Sequence, residues 1–186
     1  MAGSIWTAEA ADQRFMQVAG VTSTPIGHVQ FCRSNPKECQ ITAERAPLVR
    51  LNEATWRELV AVNEYVNQSV APVTDQDLYQ TAEYWTYPTR YGDCEDYALQ
   101  KRRILMERGW PSGALLITVV IDTDNTGHAV LTVRTDQGDY VLDNQDYRVL
   151  EWEKTPYRYV KRQSPRNSGV WTRILDERPN IVASIR

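Results

Sequence analysis

A chain of 186 residues, 42% hydrophobic and 24% charged with 9 Gly and 9 Pro, has the composition of a folded globular protein and not of a disordered or fibrous one. Its 21 basic and 24 acidic residues leave a formal net charge of -3, without the clustered basic excess that a nucleic-acid surface requires. The longest apolar run, Ala114 to Ile121, is interrupted by Thr118 and falls far short of the roughly 20 residues of a membrane-spanning helix.

No internal repeat, low-complexity tract or linker divides the sequence, so residues 1–186 read as one domain whose first part, 1–50, is loop-rich. Met1 to Trp6 carries neither the basic start nor the apolar stretch of a secretory signal, which taken literally indicates the cytoplasm. The same residues are what a removed and replaced leader would leave, so the cysteines weigh more. Cys32 and Cys39 flank Asn35-Pro36, a turn signal that can fold the segment back on itself. The expectation is a short-loop disulfide, against the alternative of two separate buried thiols. A bridge implies an oxidising compartment, periplasmic or extracellular. A zinc site fits less well, because the gap is wide and no second Cys/His pair follows. Cys94 is then the odd thiol, and an unpaired cysteine in a secreted protein marks a reactive one.

The first strong helix starts after Asn52, a good N-cap, with Leu51 and Trp56 placed for a hydrophobic staple and apolar residues at helical spacing until Pro72. A polar and aromatic loop follows, containing Tyr84, Trp85 and Tyr87, which either wall a substrate cleft or belong to the core. A second helix should run from about Cys94 to Arg108, with Asp93 as N-cap and Gly109 as its stop. Beyond Trp110-Pro111 the period becomes that of strands: Ala114 to Ile121, His128 to Arg134 and Tyr140 to Asp143 form an antiparallel meander. Tyr157 to Gln163 and Val170 to Ile174 add edge strands. Arg158, Lys161, Arg162 and Arg166 read as a solvated strand face or a partner surface. Helices first and sheet second make the fold class α+β.

Cys94 falls in the first turn of a helix, where the partial positive charge and free N–H groups lower a thiol pKa and offer donors to an oxyanion. His128 begins one strand and Asp143 ends the next, so both lie at one end of the sheet; whether they share a face depends on the register. In this chain order Cys94, His128 and Asp143 fit nucleophile, general base and orienting carboxylate. The other histidine, His28, lies in a Pro/Gly loop without a matching acid. Asp93, Glu95 and Asp96 flank the thiol and oppose its ionisation, a conflict that a bound cation resolves; the plainer alternative is that they only cap and begin the helix.

Tyr91-Gly92-Asp93-Cys94-Glu95-Asp96-Tyr97-Ala98, Gly127-His128-Ala129-Val130-Leu131 and Tyr140-Val141-Leu142-Asp143-Asn144 resemble the bacterial transglutaminase-like cysteine proteinases, over roughly Arg50 to Asn144. The resemblance implies a papain- and transglutaminase-like fold, with the nucleophile helix packed on an antiparallel β-sheet. It implies a periplasmic or secreted endopeptidase that cuts a surface adhesin at a paired-alanine site through a thioester, with Cys94, His128 and Asp143 as its triad. Calcium dependence is implied too, with Asp93, Glu95 and Asp96 as metal ligands. An inner-membrane receptor for cyclic diguanylate is the regulator that such proteases have. The Cys32 and Cys39 segment is not part of the family pattern. The same triad also serves a transglutaminase or protein amidase, and a calcium-binding adaptor would keep the residues without the chemistry.

Overall fold

The computed structural model describes residues 13–40, 46–176 and 178. Its strands are β1 (Gln17–Thr22), β2 (Ala71–Pro72), β3 (Tyr91–Gly92), β4 (Leu115–Ile121), β5 (Gly127–Arg134), β6 (Asp139–Leu142), β7 (Leu150–Glu151), β8 (Arg158–Ser164) and β9 (Asn167–Leu175). Its helices are α1 (Ile26–Ser34), α2 (Glu53–Ser69), α3 (Asp75–Tyr79) and α4 (Cys94–Glu107). Asn52 starts α2 as its sequence demands: its side chain accepts the N–H groups of Ala54 and Thr55, while the Thr55 hydroxyl accepts the N–H of Asn52 in return. Helix α4 stops at Gly109, whose φ of +91° only glycine adopts without strain.

Seven antiparallel strands form one sheet in the order β1-β9-β8-β4-β5-β6-β7, and β2 pairs with β3 in a separate parallel ladder. The meander β4-β5-β6 is the one the sequence predicts, but β8 and β9 are interior strands and not edges. Strand β8 lies between β4 and β9, and β1 covers the outer side of β9. The difference originates in the first 50 residues, which are not all loop: Gln17–Thr22 is a strand and Ile26–Ser34 a helix, placing His28 on a helix. Short elements at a chain's beginning carry too little periodicity to separate from loop.

Apolar side chains cover both faces of the sheet. On one, Leu59 and Val62 of α2 and Leu99 and Leu105 of α4 pack with Leu115, Ile117, Leu131, Val133 and Leu142. On the other, Val120, Val130 and Val141 pack with Met16, Trp152, Tyr157, Tyr159 and Ile174. Two-sided burial explains why Ala114 to Ile121 is apolar at every position but Thr118, where a half-exposed strand would alternate. The basic cluster divides accordingly: Arg162 is buried in an ion pair with Asp139 at 2.9 Å, while Arg158 is exposed.

Cys32 and Cys39 are joined in a disulfide beside the buried His28. Burial, then the charge of Arg102, push the His28 imidazole down to about 4, so it stays neutral. Trp171 Nε1–H donates to its Nδ1 at 3.2 Å. The disulfide loop is fastened to α4, since Arg102 donates to Glu38 at 2.8 Å. Gly27 lies against Trp85, and a Cβ there would approach the indole Cδ1 to 2.3 Å. Gly27→Ala should therefore destabilise the fold by about 1–3 kcal/mol, read as a lower calorimetric melting temperature; an unchanged value would show that Trp85 moves aside freely.

Candidate active site

Cys94 is the first residue of α4, and the Ala129 backbone N–H of β5 donates toward its Sγ. The next residue back along β5 is His128. The β5–β6 ladder sets Leu131 opposite Leu142, so Asp143 follows opposite Val130. Residues opposite one another share a face, as do residues two apart, so this register puts Asp143 on the side of His128. The side chains meet: His128 Nε2 is 2.8 Å from Asp143 Oδ1, with both residues buried. A buried carboxylate next to an imidazole takes the Nε2 proton as its hydrogen bond, which leaves Nδ1 with its lone pair.

Asp143 is held from several directions. The Gln145 N–H donates to Oδ1 at 3.0 Å, the Tyr157 hydroxyl donates to Oδ2, and the Asn67 amide on α2 donates to the Asp143 carbonyl at 2.8 Å. Burial alone would raise this carboxyl. The hydrogen bond and charge of His128, with the Tyr157 and Gln145 donors, outweigh burial and hold it below its ordinary value.

The electrostatics around the thiol run the other way. Burial, then the charge and hydrogen bond of Glu95, push Cys94 well above its ordinary value, and the thiol donates to Glu95 Oε2 at 3.1 Å. Burial and the charge of Asp93 raise Glu95 to about 9, and burial raises Asp96 to about 8. Oxygens of Asp75, Asp93 and Asp96 lie within 4.8 Å of one another. Of the three acids beside the cysteine, then, the structure gathers Asp93 and Asp96, while Glu95 bonds to Cys94 and Asp93. Asp93 stands at the N-cap position without a capping hydrogen bond from its side chain; its Oδ2 accepts the Asp75 N–H at 3.2 Å. Asp75 is the member that reasoning from sequence missed. It follows Thr74, the N-cap of α3, and reads in the sequence as a first-turn acid.

The aromatic segment divides too. Trp85 is core, edge-on to His28 and Trp171, and Tyr87 packs on Phe31, whereas Tyr84 is exposed beside Tyr79. The Tyr84 and Thr86 backbone N–H groups donate to Asp75 and Asp96, so this loop and the acidic set hold each other in place.

Lys101 lies two turns along α4 from Cys94, wholly buried, its ammonium 5.8 Å from the Tyr97 ring centroid. Burial lowers it to about 7, against a smaller opposing pull from Asp143. Between about pH 7 and 10.5 the unfolded chain holds a proton that the folded chain has released, so stability rises with pH across that window. Below it the full cost of burying the charge remains. Lys101→Met should raise stability at pH 7 by about 2–4 kcal/mol and flatten that rise, as measured by urea unfolding at several pH values. Lower stability at neutral pH would mean that the ammonium is well paired.

A model of the bacterial transglutaminase-like cysteine proteinases (BTLCP) matches residues 18–179. Among solved structures, calcium-bound LapG of Legionella pneumophila is 28% identical, with a TM-score of 0.55 over 63% of this chain and 68% of that one. A second LapG structure from the same organism is 29% identical with a TM-score of 0.53 over the same shares. EGTA-treated LapG is 28% identical with a TM-score of 0.54, over 66% of this chain and 72% of that one. No curated protein matches. The mixed helix and antiparallel sheet architecture is the transglutaminase-like fold of those structures, and the sequence match spans the site from α4 to β6. This chain belongs to the bacterial transglutaminase-like cysteine proteinases.

Proposed function

We propose that the protein is a calcium-dependent cysteine endopeptidase that cuts an adhesin-like surface protein at a paired-alanine site, with Cys94, His128 and Asp143 as its triad. The observation that carries this is the buried His128–Asp143 pair, one residue along β5 from the Ala129 amide that reaches the Cys94 thiol at a helix N-terminus. The Cys94 proton passes to His128 Nδ1, and the thiolate attacks the scissile carbonyl. Free N–H groups at the start of α4 donate hydrogen bonds to the developing oxyanion. His128 then returns the proton to the leaving amine, and the thioester is hydrolysed by water that gives its proton to the same nitrogen. Throughout, Asp143 fixes the ring and stabilises its charged form.

The acidic set fits a hard cation. Asp93 Oδ1 and Asp96 Oδ2 are buried without a hydrogen-bond partner, and three carboxylates converge where like charges alone repel. Asp75, Asp93 and Asp96 would hold Ca²⁺, with Glu95 alongside. When bound, the ion neutralises the charge that opposes ionisation of Cys94. The relatives in calcium-bound and EGTA-treated forms support this reading. The Cys32–Cys39 disulfide supports a periplasmic or extracellular location, and among the described residues no helix is long and apolar enough to cross a membrane. An inner-membrane receptor for cyclic diguanylate is the regulator this reading carries.

The test is digestion of an adhesin N-terminal fragment bearing the paired alanines, with Ca²⁺, with chelator and with Cys94→Ala, read by mass spectrometry. One cut that needs both Cys94 and the ion is the expected result. Ammonia release without new peptide termini would instead establish amide transfer, and an effect that survives Cys94→Ala would establish a non-catalytic adaptor.

A further inference from the structure

Asp143 has a donor that a three-residue relay does not require. Tyr157 lies just before β8, and its hydroxyl donates to Asp143 Oδ2 while His128 occupies Oδ1. The Tyr157 ring also meets the His128 imidazole edge-on, with centroids 5.5 Å apart. Its backbone is fixed in turn. The Arg178 guanidinium donates to the Tyr157 carbonyl at 2.6 Å and to the carbonyls of Trp152, Glu153 and Thr155 at 3.1–3.3 Å. Asp176 holds that guanidinium at 2.8 Å, and it lies over the Trp152 and Tyr159 rings. The hydroxyl is therefore aimed from a rigid support.

We propose that Tyr157 is a positioning residue of the triad: by occupying Asp143 Oδ2 it keeps the carboxylate turned so that Oδ1 takes the His128 Nε2 proton. The imidazole is then locked in the tautomer whose Nδ1 carries the lone pair; the Gln145 side-chain amide donates to it over a long 3.4 Å and has to yield it to the Cys94 proton. The proposal rests on the Cys94–His128–Asp143 assignment above. Asp143 is only 3% exposed, so without the hydroxyl one oxygen of a buried carboxylate would have neither water nor a donor. The group then rotates, or takes a proton and donates it to Nε2, which reverses the tautomer. Either outcome removes the unprotonated Nδ1 that the thiol needs.

The test is Tyr157→Phe, which keeps the ring and deletes the hydroxyl. Two readouts are needed: ¹⁵N NMR of the histidine tautomers, and the rate at which p-nitrophenyl acetate acylates the enzyme. The sequence has only two histidines, and the buried His28 stays neutral, so His128 is resolved without ambiguity. Expected is a fall of about 10- to 100-fold in the maximal acylation rate, half-saturation within about twofold, and a populated Nδ1–H tautomer. Tyr159→Phe is the control, because that hydroxyl bonds Thr155 at 2.9 Å instead of the triad, and it should acylate like the parent.

A Y157F protein with the parent's tautomer and an acylation rate within about threefold overturns the proposal, even if it melts lower. Should Y157F fail to fold, the unmodified protein decides: a slowly exchanging Tyr157 hydroxyl proton supports the bond, and a rapidly exchanging one overturns it. Cys94→Ala separates the two levels of the argument. If it still releases nitrophenol at the parent's rate, the triad itself falls; if it is inert while Y157F is unaffected, only the role of Tyr157 falls.

Discussion

His128→Ala lowers kcat/KM by roughly 10⁵- to 10⁶-fold, Cys94→Ala does the same, and the double variant is no slower than either. The expected loss is this large because in the proposed triad neither residue works alone. Burial and Glu95 hold the Cys94 thiol protonated, so it gains its nucleophilic form only by giving its proton to His128. Two independent contributions would multiply, and the double variant would then fall below both singles. Asp143→Ala should cost less, about 10³- to 10⁴-fold, since it orients and does not react. The Asn67 bond to the Asp143 carbonyl keeps the backbone in place in that variant. Cleavage kinetics with a fixed peptide substrate measure all four proteins. Multiplicative losses would show that Cys94 and His128 are not one unit.

Calcium raises the melting temperature of the chelated protein by about 5–10 °C at a hundredfold excess over its Kd. Such an excess contributes about 2.7 kcal/mol to any fold that alone binds the ligand, and each kcal/mol is worth roughly 2–4 °C for a chain of this size. The sharper form of the prediction uses Asp75→Asn, which keeps an acceptor for the Tyr84 N–H while removing a charge. In chelator this variant should melt above the parent, because three crowded carboxyls become two. In calcium it should melt below the parent, because a ligand is gone. Differential scanning calorimetry in the two buffers reads both signs. A variant that shifts the same way in both would place the ion elsewhere.

The difference between Asp75 and Asp93 shows how legible the site was. Asp93, Glu95 and Asp96 surround Cys94 in the chain, so their approach to it follows from local helix geometry. Asp75 is 18 residues upstream and reaches the set because β2 pairs with β3 and brings the start of α3 alongside that of α4. A ladder of two residues leaves almost no pattern to read. The meander β4-β5-β6 was visible because its strands are long and apolar with turn residues between them; the contact between His128 and Asp143 was not, because only the register decides it. Tyr157 belongs to the same class of hidden partner, a tyrosine at a strand start whose bond to Asp143 depends on where β8 enters the sheet.

The pairing of β1 with β9 sets Gln17 opposite Leu175, so a strand near residue 20 must wait for one near residue 170 before the sheet is complete. Contacts of such long sequence range are entropically slow to close, which places this fold toward the slow end of folding for its size. Emergence from the ribosome adds a second delay: Cys94 is synthesised well before Asp143 and Tyr157, and Arg178, which braces Tyr157, comes later still. With the proposed triad, a nascent chain therefore carries its thiol for some time without the groups that would activate it. On that reading activity arrives only once β5, β6 and β8 stand together in the sheet, well after the thiol itself has been made.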